Sequence, residues 1–182
     1  MDSTDLETST IEDSAVASAV AFTEVARSLF LADSVEDSLA RAVELCVVTI
    51  EPCEFAGAFL LEGDVVTTRA CTDPVVAEVD ALQLRTGEGP CLDAIAHKLT
   101  FYADELGTDP RWPNFGAEAG AMGMRSLVGL PMANDGALGA LNLYARYPQA
   151  FGVIDRARGL LLASIAGFGC STARSHVHTR RG

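Results

Sequence analysis

Two apolar runs on either side of a turn signal constrain the fold of this chain more than any other feature. The turn is Asn134-Asp135-Gly136, and the runs occupy residues 125–132 and 137–145. Asn or Asp followed by Gly suits the tight turns that join antiparallel strands. Apolar residues at successive positions within both runs are typical of central strands covered on both faces. We therefore predict a hairpin at the centre of a sheet.

A second hairpin is predicted from residues 55–62 and 65–71, because both runs have strand character and meet at Gly63-Asp64. Two hairpins must share one sheet if each is to bury its apolar face. Between the hairpins, residues 73–123 carry one short predicted strand at 100–103. We expect this segment to cross one face of the sheet as a cover, which is where a ligand pocket would form.

Helices are predicted before, within and after this arrangement. Residues 14–31 and 35–50 carry apolar stripes at helical spacing, and Ser34 is placed to cap the second of these helices. A helix at about 75–84 belongs to the cover. The last helix, 154–170, has more apolar positions than one sheet needs, which favours a further packing partner.

Composition limits the classes of partner. The 25 acidic and 13 basic residues give a formal charge of −12, which repels phosphate backbones and predicts no direct nucleic-acid binding. No signal peptide is recognisable, and no apolar segment reaches the roughly 20 residues of a membrane span, so we expect a cytoplasmic protein without membrane contact. The five cysteines form no C-x-x-C pair, which predicts reduced thiols, no metal site and no cofactor.

The most unusual local chemistry lies around Cys91. Gly87-Glu88-Gly89 predicts a tight loop, and Pro90 suits the first position of a helix, so Cys91 falls in the first helical turn. There the helix dipole favours a reactive thiolate, whereas the alternative is a small apolar residue packed beneath the cover. The loop is either an anion cradle or a structural turn, and the carboxylate of Glu88 favours the turn.

Four motifs follow one another in order: residues 86–94 (TGEGPCLDA), 109–113 (DPRWP), 124–131 (MRSLVGLP) and 138–144 (LGALNLY). They resemble a GAF domain, in particular the GAF part of actinobacterial regulators that couple GAF to an RNA-binding ANTAR domain. The resemblance implies an α+β, GAF-like (PAS/profilin-like) fold: a central antiparallel sheet of five to six strands with helices on both faces. Residues 171–182 are too few for an ANTAR domain, so RNA binding is not implied.

On this basis the chain is expected to comprise a disordered acidic N-terminus (1–13), a GAF-like sensor domain (14–172) and a basic tail (173–182). The resemblance implies a ligand pocket between the sheet and the 73–123 cover. The side chains expected to contact the ligand there are Cys91, Phe101, Trp112, Phe115, Met124, Arg125, Leu127 and Asn142.

Two of these expectations have open alternatives. Trp112 and Phe115 either line the pocket or plug it. Arg125 is suited to hold an acidic ligand group through its guanidinium, or to form an ion pair with Asp104 or Glu105.

The expected function is a non-catalytic sensory or regulatory domain for transcription regulation. It would bind an unidentified small molecule and signal to a separate regulatory protein partner through its N- and C-terminal helices packed in a homodimer. A first alternative is a dimerisation or scaffold module with a collapsed pocket. A second is a thiol enzyme of the free methionine sulfoxide reductase type, whose Gly-x-Cys loop Cys91 resembles. Those enzymes need a reducing cysteine just before the fourth main strand, where residues 120–125 contain none.

Overall fold

A computed structural model of the protein describes two long stretches and two single positions: residues 32–133 and 137–179, with Glu24 and Arg27. The predicted helix at 14–31 (those two positions apart), the acidic segment 1–13 and the turn at 134–136 lie outside the described residues. Within the described part of the chain, no helix has both the length and the apolar character needed to cross a membrane.

The elements follow in chain order: helix α1 (Val35–Thr49), strands β1 (Phe55–Glu62) and β2 (Val65–Cys71), helices α2 (Pro74–Thr86) and α3 (Pro90–His97), strand β3 (Phe101–Ala103), a 3-10 helix (Leu106–Thr108), helix α4 (Pro113–Ala121), strands β4 (Ser126–Ala133) and β5 (Ala137–Ala145), and helix α5 (Val153–Thr179). Both predicted hairpins are present, as β1–β2 and β4–β5. The predicted cap is also present, because the Ser34 side chain accepts a hydrogen bond from the backbone N–H of Asp37 at 3.0 Å.

The five strands form one antiparallel sheet in the order β2-β1-β5-β4-β3. The apolar strands β1, β5 and β4 are central, which confirms the prediction that both faces of β4 and β5 are covered. Both edges are irregular. Strand β2 carries a bulge, in which Arg69 is the extra residue between Thr68 and Ala70, and strand β3 is three residues long.

One face of the sheet packs against α1 and α5. Alternate residues of β5, Leu141 and Leu143, point into this layer, where they join Leu39 and Val43 of α1 and Leu162 of α5 in one apolar core. Alternation along a strand sends neighbouring side chains to opposite faces, so Ala140, Asn142 and Tyr144 face the other side.

The other face is covered by residues 73–123, as predicted. Two strand glycines let the cover approach the sheet closely. A Cβ at Gly57 would lie 2.7 Å from Cγ1 of Val76 in α2, and a Cβ at Gly129 would lie 2.6 Å from the carbonyl oxygen of Pro90 in α3. Gly57 of β1 and Gly129 of β4 are the two register partners of Asn142, which lies between them on the central strand β5. Helices α2 and α3 therefore meet over this asparagine.

Two helices differ from the prediction. Helix α4 was not predicted, because no element was assigned to residues 114–121, where Gly116 and Gly120 weaken helix propensity. Gly116 in fact packs against the carbonyl oxygen of Leu106, where a Cβ would lie 2.1 Å away. Helix α5 continues to Thr179, past the expected end at residue 170 and into the expected tail.

Candidate functional site

The first turn of α3 places Cys91 against the middle of the sheet. Gly89, with φ +142°, directs the chain into the helix, and Pro90 occupies its first turn. The Cys91 side chain is fully buried, and its backbone N–H donates a 3.1 Å hydrogen bond to Oε1 of Gln83 in α2. This N–H is therefore unavailable to an anion, and the thiol lies inside the core instead of at an open helix end.

A buried polar network lies beside Cys91, centred on Asp80 of α2. Oδ1 of Asp80 accepts hydrogen bonds from the hydroxyl of Tyr144 and from Nδ2 of Asn142 at 3.1 Å, and Oδ2 accepts from the hydroxyl of Thr68 at 3.1 Å. Nε2 of Gln83 donates to the Tyr144 hydroxyl at 3.3 Å. The network thus connects β2, α2, α3 and β5 within the cover-side core.

Burial changes the proton affinity of this network. It raises the pKa of Asp80 to about 6, although the hydrogen bonds from Tyr144, Thr68 and Asn142 lower it. Burial, and then the charge of Asp80, raise the pKa of the Tyr144 hydroxyl. Burial and the same charge raise the pKa of the Cys91 thiol well above its usual range. The helix dipole therefore does not make Cys91 a thiolate here.

Aromatic and apolar side chains fill the rest of the space beneath the cover. Trp112, Phe115, Met124 and Leu127 are buried together with Cys91 in one core. The indole N–H of Trp112 donates to Oδ2 of Asp93 at 2.8 Å, and Phe101 contacts the Trp112 ring edge-on at 6.5 Å between centroids. In this structure Trp112 and Phe115 fill the space beneath the cover, which is the alternative in which they plug the pocket instead of lining it.

Seven of the eight predicted ligand residues meet in this region, and Arg125 does not. Its guanidinium is half exposed and forms an ion pair with Glu105, which is one of the two pairings considered for it. The hydrogen bonds and the charge of Glu105 raise the pKa of Arg125. Arg125 therefore lies outside the buried network.

The Gly87-Glu88-Gly89 loop is a structural turn that caps another helix. The carboxylate of Glu88 accepts hydrogen bonds from the backbone N–H groups of Asn114 at 2.8 Å and Phe115 at 3.1 Å, in the first turn of α4. Partial desolvation raises the pKa of Glu88, but these two bonds and a third from the Asn114 side chain together lower it by more, so the pKa lies below its ordinary value. The loop therefore directs the carboxylate of Glu88 at these N–H groups and acts as a structural turn instead of an anion cradle.

Sequence reasoning missed Asp80, Gln83 and Tyr144. A signal was present in α2, where Val76, Val79, Asp80 and Gln83 fall at i, i+3, i+4 and i+7 and form one buried face. Two polar residues on such a face indicate polar partners across the interface.

A cavity of about 620 Å³ lies at the β2 edge of the sheet, and Thr68 is the residue that it shares with this network. Its walls include Glu36, Asp37 and Glu44 of α1 and Arg69 and Cys71 of β2. Among the described residues, no group of three or more His, Cys, Asp or Glu side chains could hold a metal ion.

Solved structures share this fold at low sequence identity. The chain is similar to free methionine-R-sulfoxide reductase from Neisseria meningitidis in complex with its substrate (TM-score 0.68, 16% identity, 85% of this chain and 89% of that chain). It is similar to the GAF domain of a phosphoenolpyruvate-protein phosphotransferase from Coxiella burnetii (TM-score 0.69, 20% identity, 86% and 94%). It also resembles a Burkholderia vietnamiensis protein to which a GAF sensor role has been attributed (TM-score 0.66, 15% identity, 86% and 95%).

One of these structures overturns the expectation that the chain is not an enzyme. The reductase has the same fold over most of its length, so a GAF-type sheet with its cover does not by itself indicate a non-catalytic module. That expectation was wrong, and the fold is compatible with an enzymatic as well as a sensory role.

Comparison with curated protein sequences finds no match. A sequence profile of the GAF domain matches residues 32–169, which include every element from α1 to most of α5. The profile, the antiparallel five-stranded sheet and the structural neighbours agree. This chain belongs to the GAF domain family.

Proposed function

We propose that this GAF domain is a sensory or regulatory module that binds a small molecule at the boundary between the sheet and its cover, beside Asp80, Asn142 and Cys91. The observation that carries the proposal is the buried polar network. A cover that only closed a core would be stabilised by apolar contacts, whereas burying a carboxylate costs free energy unless it is compensated. Polar groups placed in this way are those that fix the orientation of a ligand.

The same network offers a route from ligand to helices. Asn142 and Tyr144 face the cover, while Leu141 and Leu143 on the opposite side of β5 pack in the core that contains α5. A ligand that binds one arrangement of cover and β5 better than another shifts their populations, and α5 follows. Exposed Ile154 and Leu161, seven residues apart on α5, provide an apolar stripe for a second copy.

Native mass spectrometry of the purified full chain tests the proposal directly. A bound small molecule that is lost on denaturation, and whose loss lowers the melting temperature, is the expected result. A ligand-free protein that no member of a metabolite library stabilises would instead favour the scaffold module with a collapsed pocket, which the buried plug of Trp112 and Phe115 supports.

Reductase chemistry is a second candidate, favoured by the fold shared with the Neisseria enzyme. Reduction of a sulfoxide by Cys91 would leave a sulfenic acid, which a second thiol must reduce. In the described cover-side core Cys91 is the only cysteine, so the reductant would have to be an external thiol. Turnover of free methionine-R-sulfoxide with dithiothreitol, abolished by Cys91→Ser, would establish this candidate.

The motifs at 86–94 and 109–113 support a finer proposal. We place the domain among the type found in actinobacterial GAF–ANTAR regulators, acting in the cytoplasm as a homodimer that signals to a separate protein partner. Crosslinking of the purified chain in a cell lysate, followed by identification of the captured proteins, tests for such a partner.

A further inference from the structure

The carboxylate of Asp80 is buried, and the groups of the described residues that donate hydrogen bonds to it carry no charge. Its hydrogen-bond donors are the hydroxyls of Tyr144 and Thr68 and the amide of Asn142, all of them neutral. Among the described residues, no Lys, Arg or His side chain forms a hydrogen bond or an ion pair with Asp80. Three donors leave one lone pair of a carboxylate unused, and they do not neutralise its charge.

A second unsatisfied acceptor lies next to it. Oδ1 of Asn142 is buried, and no group of the described residues donates a hydrogen bond to it. The orientation of the amide is fixed, because Nδ2 donates to Asp80, and turning the group over would bring Oδ1 against the carboxylate. Buried polar atoms are nearly always paired, so an orphan oxygen beside an uncompensated carboxylate indicates a missing donor.

The location of this pair is a junction of elements. Asn142 lies between Gly57 and Gly129 of the neighbouring strands, which present no side chains beside it. Val76 and Asp80 of α2 fill the space over Gly57, and Pro90 and Cys91 of α3 fill the space over Gly129. A group that reaches Asn142 therefore has to enter where α2 and α3 meet, and displacement of the cover would admit it.

The chemistry of the two acceptors selects one kind of group. A hydroxyl or a water satisfies Oδ1 of Asn142 but leaves the carboxylate charge in place, and an anion is repelled by Asp80. An ammonium group provides several N–H donors and a compact positive charge. Its interaction with a carboxylate in a site shielded from water is stronger than a neutral hydrogen bond.

We infer that the ligand of this domain carries a protonated amino group, which donates hydrogen bonds to Oδ1 of Asn142 and to the carboxylate of Asp80 beneath the α2–α3 junction. The inference rests on the proposed function, because it takes the cover as the place where a ligand enters. It adds the chemical class: a small primary amine or an amino acid, and neither a nucleotide phosphate nor a carboxylate without an amine.

The test compares three small probes that share one carbon chain: butylamine hydrochloride, n-butanol and sodium butyrate. Each is titrated into the isotope-labelled full chain at about pH 7.5, above the folded pKa of Asp80, and NMR follows the side-chain amide of Asn142 and the carboxyl carbon of Asp80. We expect saturable shifts at both groups with butylamine, and none with butanol or butyrate.

Two variants separate a ligand contact from a structural role. Asp80→Asn keeps the shape and the hydrogen-bond acceptor for Tyr144 but removes the charge, and it should weaken butylamine binding about tenfold or more. Glu44→Gln removes the same charge from α1, on the opposite face of the sheet, and should leave the affinity unchanged. If Asp80→Asn fails to fold by circular dichroism, the Asn142→Leu variant replaces it, with the same expected loss.

The outcomes distinguish this inference from the proposed function. Equal shifts with butanol, butylamine binding that survives Asp80→Asn, or no butylamine shift at these groups would overturn the amine inference. A neutral or anionic molecule that co-purifies and stabilises the chain would also overturn it while supporting the sensor. Absence of any co-purified or stabilising molecule, together with no butylamine binding, would overturn both.

Discussion

Asp80 shows how one buried carboxyl group sets a pH dependence of stability. Its pKa is about 6 in the folded protein against an ordinary value of 3.8, so the folded state binds this proton more tightly than the unfolded chain does. The contribution of Asp80 to stability is therefore fully present below about pH 4 and is lost as the pH rises through about 6. The shift corresponds to about 3 kcal/mol.

Replacing Asp80 by Asn should remove this dependence. We expect the free energy of unfolding of Asp80→Asn, relative to the wild type, to rise by about 3 kcal/mol between about pH 4 and about pH 7. Urea denaturation followed by fluorescence of Trp112, the one tryptophan of the chain, measures it. Carboxylates with lowered pKa, such as Asp109, are present in both proteins and cancel in the difference. Parallel pH profiles for the two proteins would contradict the prediction.

The cysteines differ sharply in exposure, and this predicts their order of reaction. Cys71 is exposed on the edge strand, whereas the other four are buried, and Cys91 also has a raised thiol pKa. Brief treatment of the folded protein with iodoacetamide should therefore modify Cys71 first, as peptide mass spectrometry would show. Cys71→Ser should remove the fast phase. Labelling of Cys91 as fast as Cys71 would mean that the cover opens freely.

Among the elements, α3 depends on the absence of a side chain at Gly129. Adding a Cβ there would place it 2.6 Å from the carbonyl oxygen of Pro90 and 2.9 Å from Cα of Cys91, both of them backbone atoms that cannot move alone. The helix would have to lift from the sheet. Lifting α3 would also move the backbone N–H of Cys91, which donates a hydrogen bond to Oε1 of Gln83. The polar network is therefore coupled to the close contact at Gly129.

Gly129→Ala should lower the free energy of unfolding by about 1–3 kcal/mol, because the overpacked α3 cannot keep its contact with β4. It should also raise the rate at which iodoacetamide modifies Cys91. Gly107→Ala is the matched control, since its Cβ would meet its nearest atoms at 3.9 Å, and we expect a change within about 0.5 kcal/mol. Equal effects of the two substitutions would show that the close approach of α3 to Gly129 does not limit the packing of this helix.

The elements that were predictable are those with a local signal. The strand pairs follow from apolar runs and turn residues, and α1 follows from its stripe and the Ser34 cap. Helix α4 was not predictable, because Gly116 serves a contact with Leu106 and Glu88 caps the first turn, and both partners lie outside the helix. The Asp80 network was missed for the same reason, since its partner Tyr144 lies far along the chain.

On the scale of the whole molecule, the two faces of the sheet have different roles. The cover face holds the polar network, and the opposite face packs on α1 and α5. Helix α5 also presents Ile154 and Leu161 to the outside, 67% and 51% exposed. Apolar side chains seven residues apart form the seam along which helices of two copies pack.

Leu161→Glu should therefore weaken the proposed dimer, since it places a charge in that seam. Sedimentation velocity at micromolar concentration should find a dimer for the wild type and a monomer for the variant. Val65→Glu makes the same chemical change on exposed edge strand β2 and should leave the dimer intact. A wild-type monomer would contradict the proposed dimer. Dimers for the wild type and for both variants would show that α5 does not form the interface.

The irregular edges of the sheet bear on how copies can meet. The bulge at Arg69 interrupts one rim and β3 shortens the other to three residues, so neither offers a long, regular row of backbone groups to a foreign strand. Open-ended polymerisation by strand addition is thereby disfavoured. In the dimer that we propose, self-recognition would therefore rest on side chains, and a ligand beneath the cover could loosen or tighten that closed pairing.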